Sequence, residues 1–416
     1  MMGESTAPAM EQTISIPRAE RVMQRLDLLA RIGADPAGGG VTRPGLSAVE
    51  DEAHALVAAW CEEAGMTVSR DAVGNLYARP AGAPVAGEVW TGSHVDTVPS
   101  GGRFDGALGV VAAVEAVAAV AAESPGAPLA VVDFRDEEGW RFGEGCFGSR
   151  CVAGLVGRSE LGRTDADGVS VAEALAALAL PGPPVEVMQP AAYVETHIEQ
   201  GPVLAAADAA LGDVAGIAGM AGFTITFSGS SGHAGTVPMS DRSDAFAACA
   251  DFALRMRERA VEIPGAVATI GSATIDRPAA NVIPGSVRAT LDVRAPTAAA
   301  LDRLVAAVPV VAAEAAARNR CGVEAVRAWR DEPVVLSPRV RRAVRAAAHE
   351  AGVAVAEIAS GGGHDAGVLA EAGVEAGMLF VRSLNGGVSH RPDELSDEAD
   401  IAAAVTVLTG TLRSLL

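Results

Sequence analysis

Two neighbouring apolar segments constrain the fold of this 416-residue chain most strongly. The alanine-rich segment 107–122 is interrupted by Glu115 and is too short to span a bilayer comfortably, so it predicts a buried helix. The run 128–134 has the apolar character of a strand that is buried in a parallel sheet. Strands are also predicted at 75–79 and 88–92, where short runs end in turn signals. This alternation of helix and strand indicates an α/β fold.

Helical periodicity also marks the start of the chain. Apolar residues recur at helical spacing over 18–32 and 47–64, and Ser47 followed by Glu50 is typical of a helix N-terminus. We therefore predict two amphipathic helices in this part of the chain. Residues 1–18 contain no continuous apolar core, which argues against a secretory signal.

The length of the chain and a change of pattern near Gly212 predict two domains. A chain of 416 residues is longer than one hydrophobic core usually grows. Beyond Gly212 the pattern becomes that of an α+β unit, with strands at 222–227, 267–275 and 286–294 and helices at 242–260 and 298–318. The helix and strand alternation resumes from about Pro333. We therefore predict a first domain formed by 1–212 and 331–416, with a second domain, 213–330, inserted into it.

The charge of the chain excludes one class of partner. It has 32 basic and 52 acidic residues, a net charge of −20, and every basic residue is an arginine. Such an acidic surface would repel the phosphates of a nucleic acid. We also expect no membrane partner, because no apolar run is long enough to span a bilayer.

The cysteines indicate a reducing compartment. The five cysteines are odd in number and form no C-x-x-C pair, which favours reduced thiols and a cytoplasmic protein. Cys146 and Cys151 lie close to a pair of glutamates in the sequence. We interpret both as small buried apolar residues and not as redox groups or ligands.

Side chains that can bind metal ions occur at five separate places along the chain. These places are His94, Asp105, the pair Glu137–Glu138, His197 and His390. A single ion would use three or four of these ligands. Two ions that share a carboxylate would use five and leave one glutamate free to handle protons. The number of ligands therefore favours a two-metal hydrolase.

The predicted elements bring several of these side chains towards one edge of a sheet. His94 and Glu137–Glu138 follow predicted strands, and ligands of open α/β sheets bind beyond the carboxyl ends of strands. Residues i and i+2 point the same way at a strand end, so Asp96 can accept the second ring N–H of His94. Asp105 lies between glycines and a predicted helix, where a carboxylate is favoured and could bridge two cations. Two adjacent glutamates would repel each other unless a cation neutralised them.

Seven short motifs, in order along the chain, resemble those of the dinuclear metal amidohydrolases of the M20 superfamily. That family includes N-carbamoyl-L-amino-acid hydrolase, β-ureidopropionase and allantoate amidohydrolase. The motifs are TGSHVDTVP at 91–99, GRFDG at 102–106, DEEG at 136–139 with Arg141-Phe142, HIEQGP at 197–202, GHAGT at 232–236, NVIP at 281–284 and SHRPDE at 389–394. The resemblance implies a mixed-sheet catalytic domain with an inserted α+β domain that serves as a lid and for dimerisation.

The resemblance also implies a role for each candidate ligand. His94 and His197 would bind one ion, Glu138 and His390 the other, and Asp105 would bridge the two. Asp96 would orient His94, and Glu137 would be the general base. The implied cofactors are two divalent ions per subunit, of zinc, manganese, cobalt or nickel. The exopeptidases of the superfamily generally carry an acidic residue where this chain has His197, so the amidohydrolase branch is favoured over a peptidase.

For the substrate, the resemblance points mainly to the inserted domain. His233 would reach across the interface of a homodimer to polarise the substrate carbonyl. Asn281 and Arg294 would bind the substrate carboxylate, for which the planar guanidinium is well suited. Gln200, and Gly361 and Gly362 in the loop that ends at His364, would line the same pocket. Trp140 and Gly367 depart from well-known relatives, which leaves their roles open.

The implied reaction is hydrolysis of the carbamoyl or ureido C–N bond of a small acid by a metal-activated water. An N-carbamoyl-L-amino acid would yield the amino acid, carbon dioxide and ammonia. Allantoate is an alternative substrate, and an aminoacylase or dipeptidase activity is a more distant one. A metal-binding protein without activity would lack a ligand or the base, and none is missing here.

Overall fold

The computed structural model describes residues 18–36, 38–180, 182, 185 and 187–416. The segment interpreted above as lacking a secretory signal lies outside these residues, apart from Arg18. The strands are β1 Met66–Arg70, β2 Leu76–Pro80, β3 Val89–His94, β4 Leu129–Phe134, β5 Ala192–Ile198, β6 Leu211–Ile217, β7 Gly219–Ser228, β8 Gly232–His233, β9 Val267–Ile275, β10 Val282–Ile283, β11 Ser286–Ala295, β12 Gly322–Asp331, β13 Val334–Val335, β14 Val355–Ser360 and β15 Ala376–Val381.

Helices occur in both of the domains that the sequence predicts. They are α1 Arg18–Leu29, α2 Ala48–Glu63, α3 Ala107–Glu123, α4 Phe147–Val152, α5 Arg158–Leu161, α6 Val171–Leu178, α7 Val203–Ala206, α8 Ala245–Val261, α9 Ala298–Arg318, α10 Pro338–Glu350, α11 Asp365–Glu371 and α12 Glu398–Leu415. A 3₁₀ helix covers Met239–Asp241. Within the described residues, no helix is both long and apolar enough to cross a membrane.

A nine-stranded mixed sheet forms the larger part of the molecule. Its order is β1-β2-β4-β3-β5-β15-β6-β13, and β14 pairs with β6. The four neighbouring strands β4, β3, β5 and β15 run parallel, so their carboxyl ends meet at one edge. Helices cover both faces of the sheet. This architecture confirms the predicted α/β class.

The two faces of this sheet pack against different sets of helices. On one face an apolar core joins the strands to α1, α2, α3, α10 and α12. The other face contributes Trp90, Phe134 and Tyr193 to a second core, which also contains Leu369 of α11. The predicted buried helix is α3, and its residues from Ala107 to Val117 are all buried. The start of this helix holds the loop that carries Asp105 against the sheet.

The second principal sheet has four antiparallel strands in the order β12-β7-β11-β9. One face is covered by α8 and α9, and together they form a separate apolar core. Two features differ from the expectation. Residues 213–217 of the expected insertion lie in β6 and so pair within the larger sheet, which moves the start of the smaller sheet to Gly219. Strand β12 is absent from the sequence-based expectation, yet it pairs with β7 over most of its length.

Helix α2 supports the loop that follows β4. The Ser47 side chain caps the helix by accepting the Glu50 backbone N–H at 3.2 Å. The Glu50 carboxylate accepts the backbone N–H of Leu46, just before the cap, at 2.7 Å. It also accepts the backbone N–H of Asp136 at 3.0 Å and pairs with Arg135 at 2.9 Å. The residues just before the Glu137–Glu138 pair are thereby attached to a buried helix.

His54, one turn further along α2, is buried beside the same network and far in sequence from the predicted ligands. Its Nδ1 lies 3.3 Å from an oxygen of Asp133. Burial, together with the positive charge of Arg135, lowers the pKa of His54 to about 4. The imidazole is therefore neutral at physiological pH, in keeping with a structural role.

Candidate metal centre

The carboxyl edge of the parallel strands gathers the predicted ligands. His94 ends β3, His197 lies near the end of β5, and Glu138 follows β4 after a short turn. Asp105 comes from the loop before α3, and His390 from the loop after β15. The five side chains thus meet from five places in the chain, because parallel strands end at the same edge of a sheet.

One group of possible ligands consists of His94, Asp105 and His197. Their ligand atoms all lie within 4.8 Å of one another, and all three residues are buried. Nε2 of His197 is 3.1 Å from Oδ1 of Asp105, and Nε2 of His94 is 3.7 Å from the same oxygen. The three atoms enclose a space in which one small cation could be bound.

A second group consists of Asp105, Glu138 and His390. Nε2 of His390 is 3.3 Å from Oε2 of Glu138 and 3.5 Å from Oδ2 of Asp105. Asp105 therefore belongs to both groups and offers a different oxygen to each. This is the arrangement in which one carboxylate bridges two ions.

Both buried histidines present Nε2 towards the centre. Nδ1 of His94 donates to the backbone oxygen of Asp96 at 3.2 Å, and Nδ1 of His197 donates to the backbone oxygen of Ile198 at 2.9 Å. A carbonyl only accepts, so Nδ1 carries a proton in each ring and Nε2 is the nitrogen left for the centre. Nε2 of His197 also accepts the backbone N–H of Gly106 at 3.3 Å, whereas Nε2 of His94 is buried and has no hydrogen-bond partner among the described residues. This unsatisfied atom, among carboxylate oxygens, fits a divalent metal ion.

Asp96 connects His94 to the two glutamates. Its Oδ1 lies 3.2 Å from Nδ1 of His94 and accepts the backbone N–H of Glu137 at 3.0 Å. Its Oδ2 accepts the backbone N–H of Glu138 at 3.1 Å. One buried carboxylate thus orients a ligand ring and the turn that carries both glutamates.

The pKa values of the centre are shifted in the directions expected for crowded, buried carboxylates. Burial raises the pKa of Glu137 well above its usual value, with Asp365 and Glu138 adding to the rise and His94 opposing it. Burial and the charge of Asp105 likewise raise the pKa of Glu138. The site holds more negative charge than its histidines can balance. A bound cation would supply the missing positive charge.

The backbone around the centre is unusual in its conformation. Asp136, Cys146, Gln200 and His390 have φ values between 50° and 58°, in the left-handed region that most residues avoid. Such conformations persist only where the surroundings enforce them, and they cluster at functional sites. The centre is thus built on turns that are individually unfavourable.

A cavity of about 610 Å³ opens beside the centre and is lined by both principal sheets. Asp105, Glu137 and Gln200 lie on one side, and Arg294 and Trp329 come from strands of the smaller sheet. Nε2 of Gln200 donates to Oδ2 of Asp105 at 2.8 Å. The cavity therefore places the possible ligands and a cation from the second sheet around one space.

Arg294 bridges the two sides of this cavity. Its Nη1 donates to the backbone oxygen of Gly361 at 2.8 Å, and its Nε donates to Asp292 at 2.9 Å. Gly362 and His364 of the same loop line the cavity. The structure thus brings together Arg294, Gln200 and the glycine loop, as expected for residues that share a pocket.

His233 and Asn281 lie elsewhere in the described chain. They are exposed and belong to, or adjoin, the two-stranded pairing of β8 with β10, in which His233 faces Val282. Neither residue lines the cavity. Trp140 is 40% exposed, and its indole donates to the backbone oxygen of Thr97 at 2.8 Å, so it supports the loop after β3.

The structure shows what Gly367 and His364, two residues without an assigned role, contact beside the cavity. Gly367 lines the cavity, and a Cβ there would meet Cδ1 of Ile217 at 2.7 Å, so a larger side chain would need Ile217 to move. The His364 ring packs edge-on against His197, with centroids 4.6 Å apart, and its Nε2 pairs with the Ser360 hydroxyl at 2.9 Å. His364 thus supports a ligand ring without joining either ligand group.

Sequence reasoning missed three side chains that contact the centre. The Cys146 thiol lies 3.8 Å from Oε1 of Glu137 and lines the cavity, whereas the sequence favours an apolar role for it. Ser389 and Glu394 hydrogen-bond to each other and to the Asp105 loop. Both fall within the motif at 389–394, whose spacing could have drawn attention to them. The only sequence signal for Cys146 is its closeness to the glutamate pair, which it shares with Cys151; all five cysteines are free thiols.

Comparison with known proteins supports the same interpretation. The model of Peptidase family M20/M25/M40, a metal-dependent family, matches residues 90–414. The chain is 39% identical over 403 residues to the N-carbamoyl-L-amino acid amidohydrolase of Geobacillus stearothermophilus, covering 95% of this chain and 98% of that relative. It is 34% identical over 423 residues to the allantoate amidohydrolase of Bacillus subtilis (strain 168), with coverages of 97% and 99%.

The fold agrees with these relatives. The crystal structure of an amidase of the hydantoinase/carbamoylase family from Burkholderia multivorans superposes with a TM-score of 0.89 at 34% identity, covering 95% of this chain and 97% of that one. The match to the family model spans well over half of the chain. The chain therefore belongs to Peptidase family M20/M25/M40.

Proposed function

We propose that the protein is a metal-dependent amidohydrolase that hydrolyses the carbamoyl C–N bond of an N-carbamoyl-L-amino acid. The products would be the amino acid, carbon dioxide and ammonia. The observation that carries the proposal is the shared position of Asp105, whose two oxygens face two separate groups of ligands. The names of the similar proteins, which span nearly the whole chain, support the substrate class.

The proposed ligands divide into two sets. His94 and His197 would hold one ion, Glu138 and His390 would hold the other, and Asp105 would serve both. When bound, the two divalent ions would supply Lewis acidity, which lowers the pKa of water and polarises a carbonyl group. The mixture of imidazole and carboxylate suits zinc, manganese, cobalt or nickel.

Glu137 is the proposed general base. Its Oε2 lies 3.6 Å from Nε2 of His94, and it lines the cavity without belonging to either ligand group. It takes a proton from the attacking water and passes it to the leaving nitrogen.

Arg294 and the loop at Gly361–Gly362 are the proposed site for the substrate carboxylate. Two of the Arg294 nitrogens donate to Asp292 and one to Gly361. A planar guanidinium can bind a carboxylate through two parallel hydrogen bonds, so substrate binding would replace some of these contacts. Gln200 would release Asp105 and turn its amide to the substrate.

We further propose that the two principal sheets form two domains and that the enzyme is a homodimer. The exposed positions of His233 and Asn281, away from the cavity of their own chain, leave them available to another molecule. In the dimer, His233 of the partner subunit would complete the cavity and stabilise the developing oxyanion. Closure of one domain over the other would exclude water from the reaction. With its free thiols, the enzyme would function in the cytoplasm.

A ureido acid such as allantoate is the second candidate substrate, because a relative named allantoate amidohydrolase matches 97% of this chain. A panel of substrates distinguishes the candidates. The metal-loaded enzyme is supplied in turn with N-carbamoyl-L-amino acids, allantoate, N-acyl amino acids and dipeptides, and both ammonia and free amino acid are measured. We expect ammonia from the first class. Amino acid released from dipeptides without ammonia would refute the proposal.

The role of Glu137 has its own test. Glu137→Gln should lower kcat by about 100-fold or more while both ions remain bound, since it removes only the proton acceptor. Metal content measured on the same sample separates loss of the base from loss of the ions. Unchanged turnover would remove Glu137 from the mechanism.

A further inference from the structure

Glu394 is a buried carboxylate close to the centre to which no role has yet been given. It is 6% exposed and lies four residues after His390. Its Oε2 accepts the backbone N–H groups of Phe104 at 3.0 Å and Asp105 at 3.1 Å. The segment that carries His390 is thereby attached to the loop that carries Asp105.

Ser389 adds a second connection between the same two segments. Its hydroxyl lies 2.7 Å from Oδ2 of Asp105 and 2.9 Å from Oε1 of Glu394. The hydroxyl has one proton to donate and two lone pairs that accept. It therefore contacts both carboxyl groups, on the side of Asp105 that faces His390, and it can donate to only one of them while it accepts from the other when that group is protonated.

The space around the Glu394 carboxylate is closely matched to it. A Cβ placed on Gly102 would meet Oε2, Cδ and Cβ of Glu394 closer than 3.0 Å. The backbone at 102–105 can approach the carboxylate only because residue 102 has no side chain. The contact between the two segments is thus built into the packing and is not a chance approach of surface side chains.

We propose that Glu394, with Ser389, is a positioning residue that holds the bridging carboxylate of Asp105 in register with His390. The inference rests on the proposed ligand set. His94 and His197 lie on β3 and β5, whose positions are set by the sheet. His390 lies on a loop, in a left-handed conformation, and depends on contacts such as these for its position. The ion held by Glu138 and His390 is therefore the one that needs Glu394.

The test is a calorimetric titration of the metal-free chain with Co²⁺. The wild-type chain should bind two ions. Glu394→Ala should bind the first with little change and the second about 10- to 100-fold more weakly, the range found when a residue that orients a ligand is removed. Folding of each variant is checked by circular dichroism.

A conservative variant separates geometry from charge. In Glu394→Gln the amide oxygen can still accept both backbone N–H groups, while the amide nitrogen donates to Ser389, which continues to donate to Asp105. We therefore expect the second affinity of Glu394→Gln to stay within about threefold of the wild type. Ser389→Ala keeps the backbone contacts and loses only the hydroxyl, so a weakening of about fivefold is expected. This variant also serves if Glu394→Ala does not fold.

Glu199 provides a matched control. It is 8% exposed, and its carboxylate accepts two backbone N–H groups, from Val203 at 2.6 Å and Leu204 at 3.0 Å. Glu199→Ala removes the same kind of contact and should leave both Co²⁺ affinities unchanged. A wild-type chain that binds fewer than two ions would overturn the two-ion centre together with this inference. Two outcomes would overturn the positioning role alone. One is that the wild type and Glu394→Ala bind two Co²⁺ ions with equal affinities. The other is that Glu394→Gln loses as much affinity for the second ion as Glu394→Ala does.

Discussion

Gly106 offers a sharp test of how the metal centre is packed. It follows Asp105, has a φ of 60°, and precedes α3. A Cβ at this position would meet three ring atoms of His94 closer than 3.0 Å. His94 cannot simply turn away, because its Nδ1 is held by Asp96. Gly106→Ala should therefore disturb both the backbone and a ligand ring.

The expected cost has two parts. Gly106 has a φ of 60° and a ψ of −52°, and an alanine in such a sparsely populated conformation costs about 1–3 kcal/mol. Forcing an extra methyl group into a packed interior costs about 1–3 kcal/mol more. We therefore expect Gly106→Ala to lose roughly 2–6 kcal/mol of unfolding free energy in the metal-free state. Displacement of His94 should also weaken the binding of the first ion.

Two control glycines separate these parts. Gly65 has a φ of 79°, and apart from its chain neighbours no atom of the described residues lies within 4 Å of a methyl group added there. Gly65→Ala therefore carries only the cost of the unfavourable backbone conformation. Gly109 lies within α3, where a Cβ would meet the carbonyl oxygen of Thr196 closer than 3.0 Å, so Gly109→Ala bears mainly the packing cost. Urea unfolding with EDTA and Co²⁺ titration are measured on all three. If Gly106→Ala lost no more stability than Gly65→Ala and bound Co²⁺ normally, the described packing of His94 would be wrong.

Two further predictions concern pH and the dimer. The pKa of His54 is lowered from 6.5 in the unfolded chain to about 4 in the folded chain. Between these pH values the unfolded chain binds a proton at His54 that the folded chain does not bind. The folded state is therefore most stable, with respect to His54, above pH 6.5, and it loses about 3 kcal/mol of unfolding free energy as the pH falls to 4. Urea midpoints of the metal-free protein should therefore fall across this range, and less so in His54→Asn; equal pH slopes would contradict the assignment. The dimer can be tested by mixing two inactive variants, Glu137→Gln and His233→Ala, and allowing their subunits to exchange. Half of the dimers should then be mixed, and each mixed dimer has one complete site out of two, so about one quarter of wild-type activity should return. Absence of any recovered activity would contradict a site shared between subunits.

Two of the parallel strands, β3 and β4, and the candidate ligands that follow them were predictable because each carries a local signal. Strand 128–134 and the helix before it are marked by continuous apolar character, and His94 follows its strand directly. The candidate ligand Asp105 lies beside the start of a helix that its apolar composition had already indicated. These features depend on residues close together in the chain.

The elements that escaped prediction depend on pairing partners that are distant in sequence. Strand β12 mixes apolar and charged residues, is mostly exposed and has no buried residue, so its identity comes from β7, its neighbour in the sheet. Strand β6 contains two glycines and pairs with β13, β14 and β15, which all follow the insertion. The boundary of the smaller sheet therefore could not be read from local pattern alone.

The same reason explains the parts of the site that were missed. The Glu50 side chain reaches the backbone N–H of Leu46 at the start of the helix, but it also binds the buried guanidinium of Arg135 and the Asp136 amide, which no local pattern indicates. Glu394 reaches Phe104 across 290 residues of chain. Contacts of this kind are decided by tertiary packing, and motif spacing only marks the residues that could make them.

The separation of these contacts along the chain has a consequence for biosynthesis. Ser389 meets Asp105 at a separation of 284 positions, and the smaller sheet is made between them. During translation the proposed ligands of the first ion, of which His197 is the last in the sequence, are made before that sheet. In the proposed centre, Glu138 could share an ion only after His390 has been made. Binding of the second ion would therefore follow synthesis of the smaller sheet, whereas the proposed ligands of the first ion are all made before it.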